Sequence, residues 1–424
     1  MVARGNTGAE EVARVFLLLR GAEVYAPEPL GRQDVLIAEG QIARIAPHIA
    51  LSRRALPDLQ VRSLSGMALT PGFIDAHVHI AGGGGEGGFQ HRTPPVHLSA
   101  LAPHGTTRVV GLLGTDGVTR SVAELLAEAR RITALGLSAS MLTGAYQLPT
   151  RTLTGTVRSD LVFIPEVLGA GEIAIADDRG SHPSGRDLLE IASEVRVGAL
   201  LAGKKGLLHI HVGDGIRRLA ALSAVLRRSA LPNDLFSATH LNRNPDLLAD
   251  APDLSRRGAY ADVTAGIFPA PGDEKPVDPA VALAHLLREG DPAHVTMSSD
   301  GNGSSPVFDG KGRLAGIGIG APGRLHWALR RAVLEEGVPL QRALPVVTSN
   351  VAAALGLENA GRIAVGCSAD LLVLDDRLEV TQAYARGRLA AEHGQLRLPD
   401  PFTSADAKGR KRVESVANKS PSAT

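Results

Sequence analysis

Two histidines one residue apart, His77 and His79, close the run Thr70-Pro71-Gly72-Phe73-Ile74-Asp75-Ala76-His77-Val78-His79-Ile80. The run is apolar and rich in strand formers, and side chains two apart on a strand leave by the same face. Two imidazoles therefore stand side by side, and neutral imidazole is the commonest side-chain ligand of divalent metals. Further candidates lie on or close later strand-like runs. They are Glu172, His211 in Leu208-His209-Ile210-His211-Val212, His240 in Ala238-Thr239-His240, and Asp300 in Ser298-Ser299-Asp300-Gly301. Four histidines, a bridging carboxylate and one more aspartate would hold two divalent ions and leave positions for water, the requirements of metal-assisted hydrolysis.

Such residues act together only if the chain brings strand ends to one place. From Ala68 onward strand and helix textures alternate. Strands are expected at 69–79, 106–113, 138–146, 172–177, 206–213, 235–241, 259–265 and 293–300, with helix-period segments such as 120–135, 186–201, 215–228 and 279–289 between them. Eight strands with crossover helices imply an α/β chain folded as a (β/α)8 TIM-like barrel, whose active site lies at the C-terminal strand ends. A doubly wound open sheet is the alternative. Short strands between Gly and Pro punctuation fill the start of the chain, and strand texture returns at 361–373 and 380–388 after two helices at 321–336 and 340–355. Residues 1–67 and 357–402 are thus expected to form one small β-sandwich domain from both chain ends, with the barrel at 68–356. The polar residues 403–424, with the run Lys408-Gly409-Arg410-Lys411-Arg412, read as a disordered tail.

Composition narrows the function class. The 424 residues are 44% hydrophobic with a formal net charge of +1, so no charge bias points to nucleic acid. Cys367 is the only cysteine, which excludes an intrachain disulfide and a thiolate metal cage. No apolar run approaches the ~20 residues of a spanning helix. A soluble cytoplasmic protein without nucleic-acid or membrane partners is expected. Arginine far outnumbers lysine, and the first lysine is Lys204.

The ordered ligand set resembles the amidohydrolase superfamily, whose two-metal members hydrolyse amides with a hydroxide bridging the metals. Five connecting segments are similar to those of the isoaspartyl dipeptidases: Gly82-Gly83-Gly84-Gly85-Glu86, Gly111-Leu112-Leu113-Gly114-Thr115-Asp116, Leu142-Thr143-Gly144-Ala145-Tyr146, Thr239-His240-Leu241-Asn242-Arg243-Asn244 and Ser298-Ser299-Asp300-Gly301-Asn302-Gly303-Ser304. The likeness runs over residues 15–387. It implies a metallopeptidase with two Zn2+ per subunit that cleaves the β-aspartyl bond of dipeptides and assembles as a homo-oligomer. It implies that His77 and His79 bind one metal with Asp300, that His211 and His240 bind the other, and that Asp300 carries a proton from the bridging water to the leaving amine. Glu86 would hold the substrate's α-ammonium group, and Tyr146 would polarise the scissile carbonyl and stabilise the oxyanion. Arg179, Arg243 and Ser304 would anchor carboxylates, with Thr115 in the same substrate-binding set.

Isoaspartyl dipeptidases bridge their metals with a carbamylated lysine on the fourth strand. No lysine precedes Lys204 here, and counting back from Arg179 puts Glu172 in that place. Glu166 is the next candidate along the chain. His209 shares a strand face with His211 and is expected to pack behind the ligands, while His91, His97 and His104 read as structural. Two other readings remain open: a related amidohydrolase acting on a cyclic amide or N-acyl amino acid, and a catalytically inactive scaffold of the same fold.

Overall fold

A parallel sheet covered by helices requires strands buried on both faces. The computed structural model describes residues 16–269, 275–308 and 314–399, and nearly every residue of its eight parallel strands is buried. These strands are Phe73–Val78, Thr106–Gly111, Ser138–Thr143, Val167–Ile175, Leu208–Val212, Phe236–Thr239, Tyr260–Thr264 and Val295–Ser298. Each is hydrogen-bonded to the next in sequence order. The His79 amide donates to the Gly301 carbonyl at 2.9 Å, which ties the exit of the last strand to the first. The architecture is a (β/α)8 barrel.

The covering helices follow local signals. Gly185–Ala202 starts at a capping box of Ser184 and Asp187 and stops at Gly203, whose φ of 64° is left-handed. Its buried residues Leu188, Ile191, Ala192, Val195 and Ala199 recur at three- and four-residue spacing. Lys204 follows immediately. Its ammonium donates to the carbonyls of Leu161, Ile164 and Val167 at 2.8–2.9 Å, where the chain enters the fourth strand.

A second sheet of nine strands gathers both ends of the chain, running from Gln395–Leu396 through Leu371–Leu374, Ala68–Pro71 and Phe16–Tyr25 to Gln41–Ala46. Leu17, Leu19, Val24, Val35, Ile37, Leu69, Leu371, Val373 and Tyr384 form its buried cluster. The terminal β structure is thus one continuous hydrogen-bonded sheet.

Four expectations need correction. The strand expected over 69–79 is two strands: Ala68–Pro71 pairs in the terminal sheet, and Phe73–Val78 opens the barrel. Gly72 sits at the break because a Cβ there would lie 2.2 Å from Thr107 Oγ1. The helix expected over 340–355 is interrupted by a 3-10 turn, Leu344–Val347, since Pro345 has no amide to continue the helical ladder. The fourth strand begins at Val167 rather than 172. A hairpin of Ser304–Phe308 and Leu314–Ile319 was not expected at all. The 403–424 tail lies outside the described residues.

Lys204 is a structural cation, and its removal tests that. Lys204→Met leaves three carbonyls without their charged donor and is expected to cost about 2 kcal/mol, given the usual worth of charge-assisted hydrogen bonds at a half-buried position. Thermal unfolding of the two proteins side by side checks this; an unchanged midpoint would contradict it.

Candidate metal centre

The barrel delivers the expected ligands to one point. His77 lies on the first strand with no exposed surface, and His79 follows that strand's end. Their rings stand edge to face with centroids 5.4 Å apart. Glu172 comes from the fourth strand, His211 from the fifth, His240 from just past the sixth and Asp300 from just past the eighth. His77 Nε2 is 3.4 Å from Glu172 Oε1 and 3.5 Å from Asp300 Oδ1. His79 Nε2 is 3.6 and 3.2 Å from the same two atoms. On the other side of Glu172, Oε2 lies 3.1 Å from His211 Nδ1 and 3.6 Å from His240 Nε2. Among the described residues, then, the ion-pair partners of Glu172 are four imidazoles.

Two triplets are tight enough to share an ion, with ligand atoms within 4.8 Å of one another: His77, His79 and Asp300, and His77, Glu172 and His240. His211 belongs to neither, although the expected second set paired it with His240. Its Nδ1 is also 2.8 Å from the Tyr146 hydroxyl, and its Nε2 is 2.8 Å from Asp177 Oδ2.

The site fits a divalent cation on its own chemistry. His77 Nε2 and His79 Nδ1 are buried without a hydrogen-bond partner. The far nitrogens of His77 and His240 are held from behind, by His209 at 3.0 Å and by Thr264 at 2.8 Å. Nitrogen and carboxylate donors at this density suit zinc and its neighbours. Burial works against a charged His77, yet the adjacent Glu172 and Asp300 outweigh it and raise its pKa to about 9. The same balance, read from the other side, holds Glu172 well below the ordinary carboxylate range: burial pushes it up, and His77, His211 and His240 pull it further down. This is a place that favours positive charge.

The backbone is bent to make it. His240 and Asp300 both adopt left-handed conformations, with φ of 69° and 53°, which non-glycine residues seldom do outside constrained sites. Gly303 must lack a side chain, because a Cβ there would lie 2.3 Å from Asp300 Oδ1 and 2.8 Å from His79 Cδ2.

A cavity of about 1610 Å³ opens over the cluster, with His79, Tyr146, His211 and Asp300 on its lining together with Thr115, Arg179, Arg243 and Ser304. Glu86 is held beside it. Its carboxylate accepts from Thr115 Oγ1 at 3.0 Å and Ser304 Oγ at 2.9 Å, and lies 3.5 Å from Arg179 Nη1. Arg179 is also committed to Asp177 through two bonds, Nε to Oδ1 at 2.9 Å and Nη2 to Oδ2 at 2.8 Å. A continuous contact path therefore runs from His211 through Asp177 and Arg179 to Glu86. Arg243 donates from Nε to the Val212 carbonyl at 3.2 Å. Burial pushes the Tyr146 phenol well above its ordinary pKa, and nearby Glu172 adds to this, so the hydroxyl keeps its proton.

Asp177 is the site residue that the sequence reading missed. The signal available was an Asp two residues before Arg179 at the end of a strand. His182 also lines the cavity without having been expected there. His91 and His104 end short 3-10 turns, and His97 caps another, all apart from the cavity lining. Glu166 pairs with Arg130 at 2.7 Å, far from the role of a bridge.

Comparisons with known proteins agree with this geometry. A family model for the Amidohydrolase family matches residues 251–394. A beta-aspartyl dipeptidase from thermophilic keratin-degrading Fervidobacterium islandicum AW-1, solved in complex with the β-Asp-Leu dipeptide, superposes with a TM-score of 0.83 at 33% identity, covering 91% of this chain and 100% of that one. Adenine deaminase from Serratia proteamaculans is 24% identical over 86% of this chain but only 55% of its own length. This chain spans 55–62% of the adenine deaminases it matches over most of its length. Allantoinase from Deinococcus radiodurans is 27% identical over 89% of this chain and 91% of that protein. With a barrel, a histidine–carboxylate cluster at its strand ends and a relative 33% identical over that relative's whole chain, the protein belongs to the amidohydrolase family.

Proposed function

We propose that this chain is a two-metal hydrolase that cleaves the β-aspartyl bond of isoaspartyl dipeptides. The observation that carries the reading is Glu86, an acid fixed by Thr115, Ser304 and Arg179 beside the cavity over the metal cluster. A free α-ammonium group is what such a carboxylate recognises, and an isoaspartyl dipeptide presents one on the second carbon from the scissile carbonyl, one carbon further than an α-dipeptide does. The 33%-identical relative holding β-Asp-Leu supports the same substrate class. Cyclic amides and N-acyl amino acids offer no free ammonium, and a complete ligand set speaks against an inactive scaffold.

His77, His79, His211, His240 and Asp300 would hold two divalent ions, with Glu172 between them in place of a lysine carbamate. Such ions supply Lewis acidity toward the scissile carbonyl and toward an attacking water. The remaining work falls to side chains. Asp300 accepts the proton of the attacking water and returns it to the leaving amine, a transfer of the kind that contributes ~10²–10⁴-fold. Tyr146, protonated at neutral pH, donates its O–H to the oxyanion. Arg243 binds the terminal carboxylate from the cavity wall. Arg179, held flat against Asp177, presents the rest of its guanidinium to the second carboxylate.

Steady-state assays distinguish the readings. β-Asp-Leu should be turned over, whereas α-Asp-Leu, N-acetyl-β-Asp-Leu and adenine should not, and Glu86→Gln should lower kcat/KM for β-Asp-Leu by ~10²-fold or more through loss of the charge that pairs with the ammonium. Equal turnover of the free and acetylated dipeptides would contradict the role of Glu86 and the substrate with it.

The bridge has its own test. A lysine must react with carbon dioxide before it can bridge, but a glutamate is already a carboxylate at neutral pH. Zinc added to metal-free protein in carbon-dioxide-depleted buffer should restore as much activity as with bicarbonate present. Glu172→Ala should lose most of its metal. A Glu172→Ala protein that keeps wild-type metal content and turnover would remove Glu172 from the site.

A further inference from the structure

His209 occupies a position the proposed chemistry does not use, and its surroundings are specific. It is 1% exposed, one residue pair deeper on the fifth strand than His211. Its Nε2 lies 3.0 Å from His77 Nδ1, and its Nδ1 lies 3.1 Å from Ser237 Oγ on the sixth strand. The His77 and His209 rings meet edge to face with centroids 5.1 Å apart.

The direction of this chain of hydrogen bonds follows from one end. His77 Nε2 faces Glu172 and Asp300 and has no hydrogen-bond partner. A nitrogen that ligates a cation carries no proton, so with Nε2 as a ligand the proton of the His77 ring is on Nδ1. That N–H donates to His209 Nε2, which must then be bare. The proton of His209 is consequently on Nδ1, where it donates to Ser237 Oγ. Each assignment fixes the next.

We propose that His209 is a positioning residue for the metal site: a neutral imidazole that locks the tautomer and ring orientation of His77 and is itself locked by Ser237. Ligating histidines usually have a carboxylate, carbonyl or water in this place, and losing it typically costs 10–100-fold in metal affinity. An imidazole accepts the same hydrogen bond without adding charge. That distinction matters here, because Glu172 and Asp300 already bring two carboxylates to the centre and Asp262 is buried nearby, taking hydroxyl donors from Thr239, Thr296 and Ser298. A further anion behind His77 would raise the cost of burying them all. The inference rests on the proposed function only in requiring that the cluster hold a divalent ion.

The test is chelator competition on the metal-loaded protein, read as apparent zinc affinity, for wild type, His209→Met, His209→Gln and Ser237→Ala. Met and Gln fill nearly the same volume, but the Gln amide oxygen is a strong acceptor for His77 and the Met sulfur only a weak one. His209→Met should bind zinc about 10–100-fold more weakly, while His209→Gln stays close to wild type. Ser237→Ala touches neither His77 nor the ions and should fall between them. Equal affinity of the Met and Gln variants, or wild-type affinity in the Met variant, would overturn the proposal. Should His209→Met fail to fold, Ser237→Ala decides, and unchanged affinity there overturns it. A wild type that binds no divalent ion would instead bring down the proposed function, a result distinct from these.

Discussion

Glu172 is a carboxylate with 1% of its surface exposed, and the structure depends on how that charge is tolerated. Taking an anion out of water costs several kcal/mol even after relaxation, and the cost is met only where opposite charge and hydrogen bonds surround it. Here the surroundings are four imidazoles from the ends of three strands, the first, fifth and sixth. None of them carries a permanent charge, so the carboxylate is balanced only when the cluster takes up protons or metal cations. The raised proton affinity of His77 is the same demand expressed in protons. The barrel serves this demand: parallel strands point all their C-terminal ends at one place, and the left-handed backbones of His240 and Asp300 aim two ligands that regular strands could not.

The substrate side is tied to the ligands through Asp177. One of its oxygens meets His211 Nε2 and Arg179 Nη2, and Arg179 in turn reaches Glu86. The group proposed to bind substrate and one proposed to bind metal therefore share one carboxylate–guanidinium pair. Movement of Arg179 toward a substrate carboxylate would be felt at His211, which is the one expected ligand that sits outside both tight triplets.

Much of this was legible in the chain. The eight barrel strands were found because each is a short apolar run and helix-period segments separate most of them; the histidines and Asp300 at the centre were found because they end those runs, and Glu172 by counting back from Arg179. Boundaries were less legible. Nothing in Leu69–His79 announces that its first half pairs with Leu371–Leu374, a partner three hundred residues away. Gly72 was the available hint, and only a contact with Thr107 gives it meaning. The hairpin that starts at Ser304 was masked by its glycines and serines, which read as loop. The state of Arg179 was also hidden, because pairing with Asp177 and Glu86 is a tertiary fact that spacing alone cannot carry. Lys204 is the converse case. Its position as the first lysine left the fourth strand without a lysine to carbamylate, and the structure shows what that amine holds instead.

The central claim is that the histidine–carboxylate cluster exists to hold divalent ions, and elemental analysis of protein purified without chelator tests it most directly. About two divalent ions per chain are expected, by the logic of two-metal hydrolases, together with loss of activity as a chelator strips them. Protein that is fully active with no bound divalent metal would contradict the account.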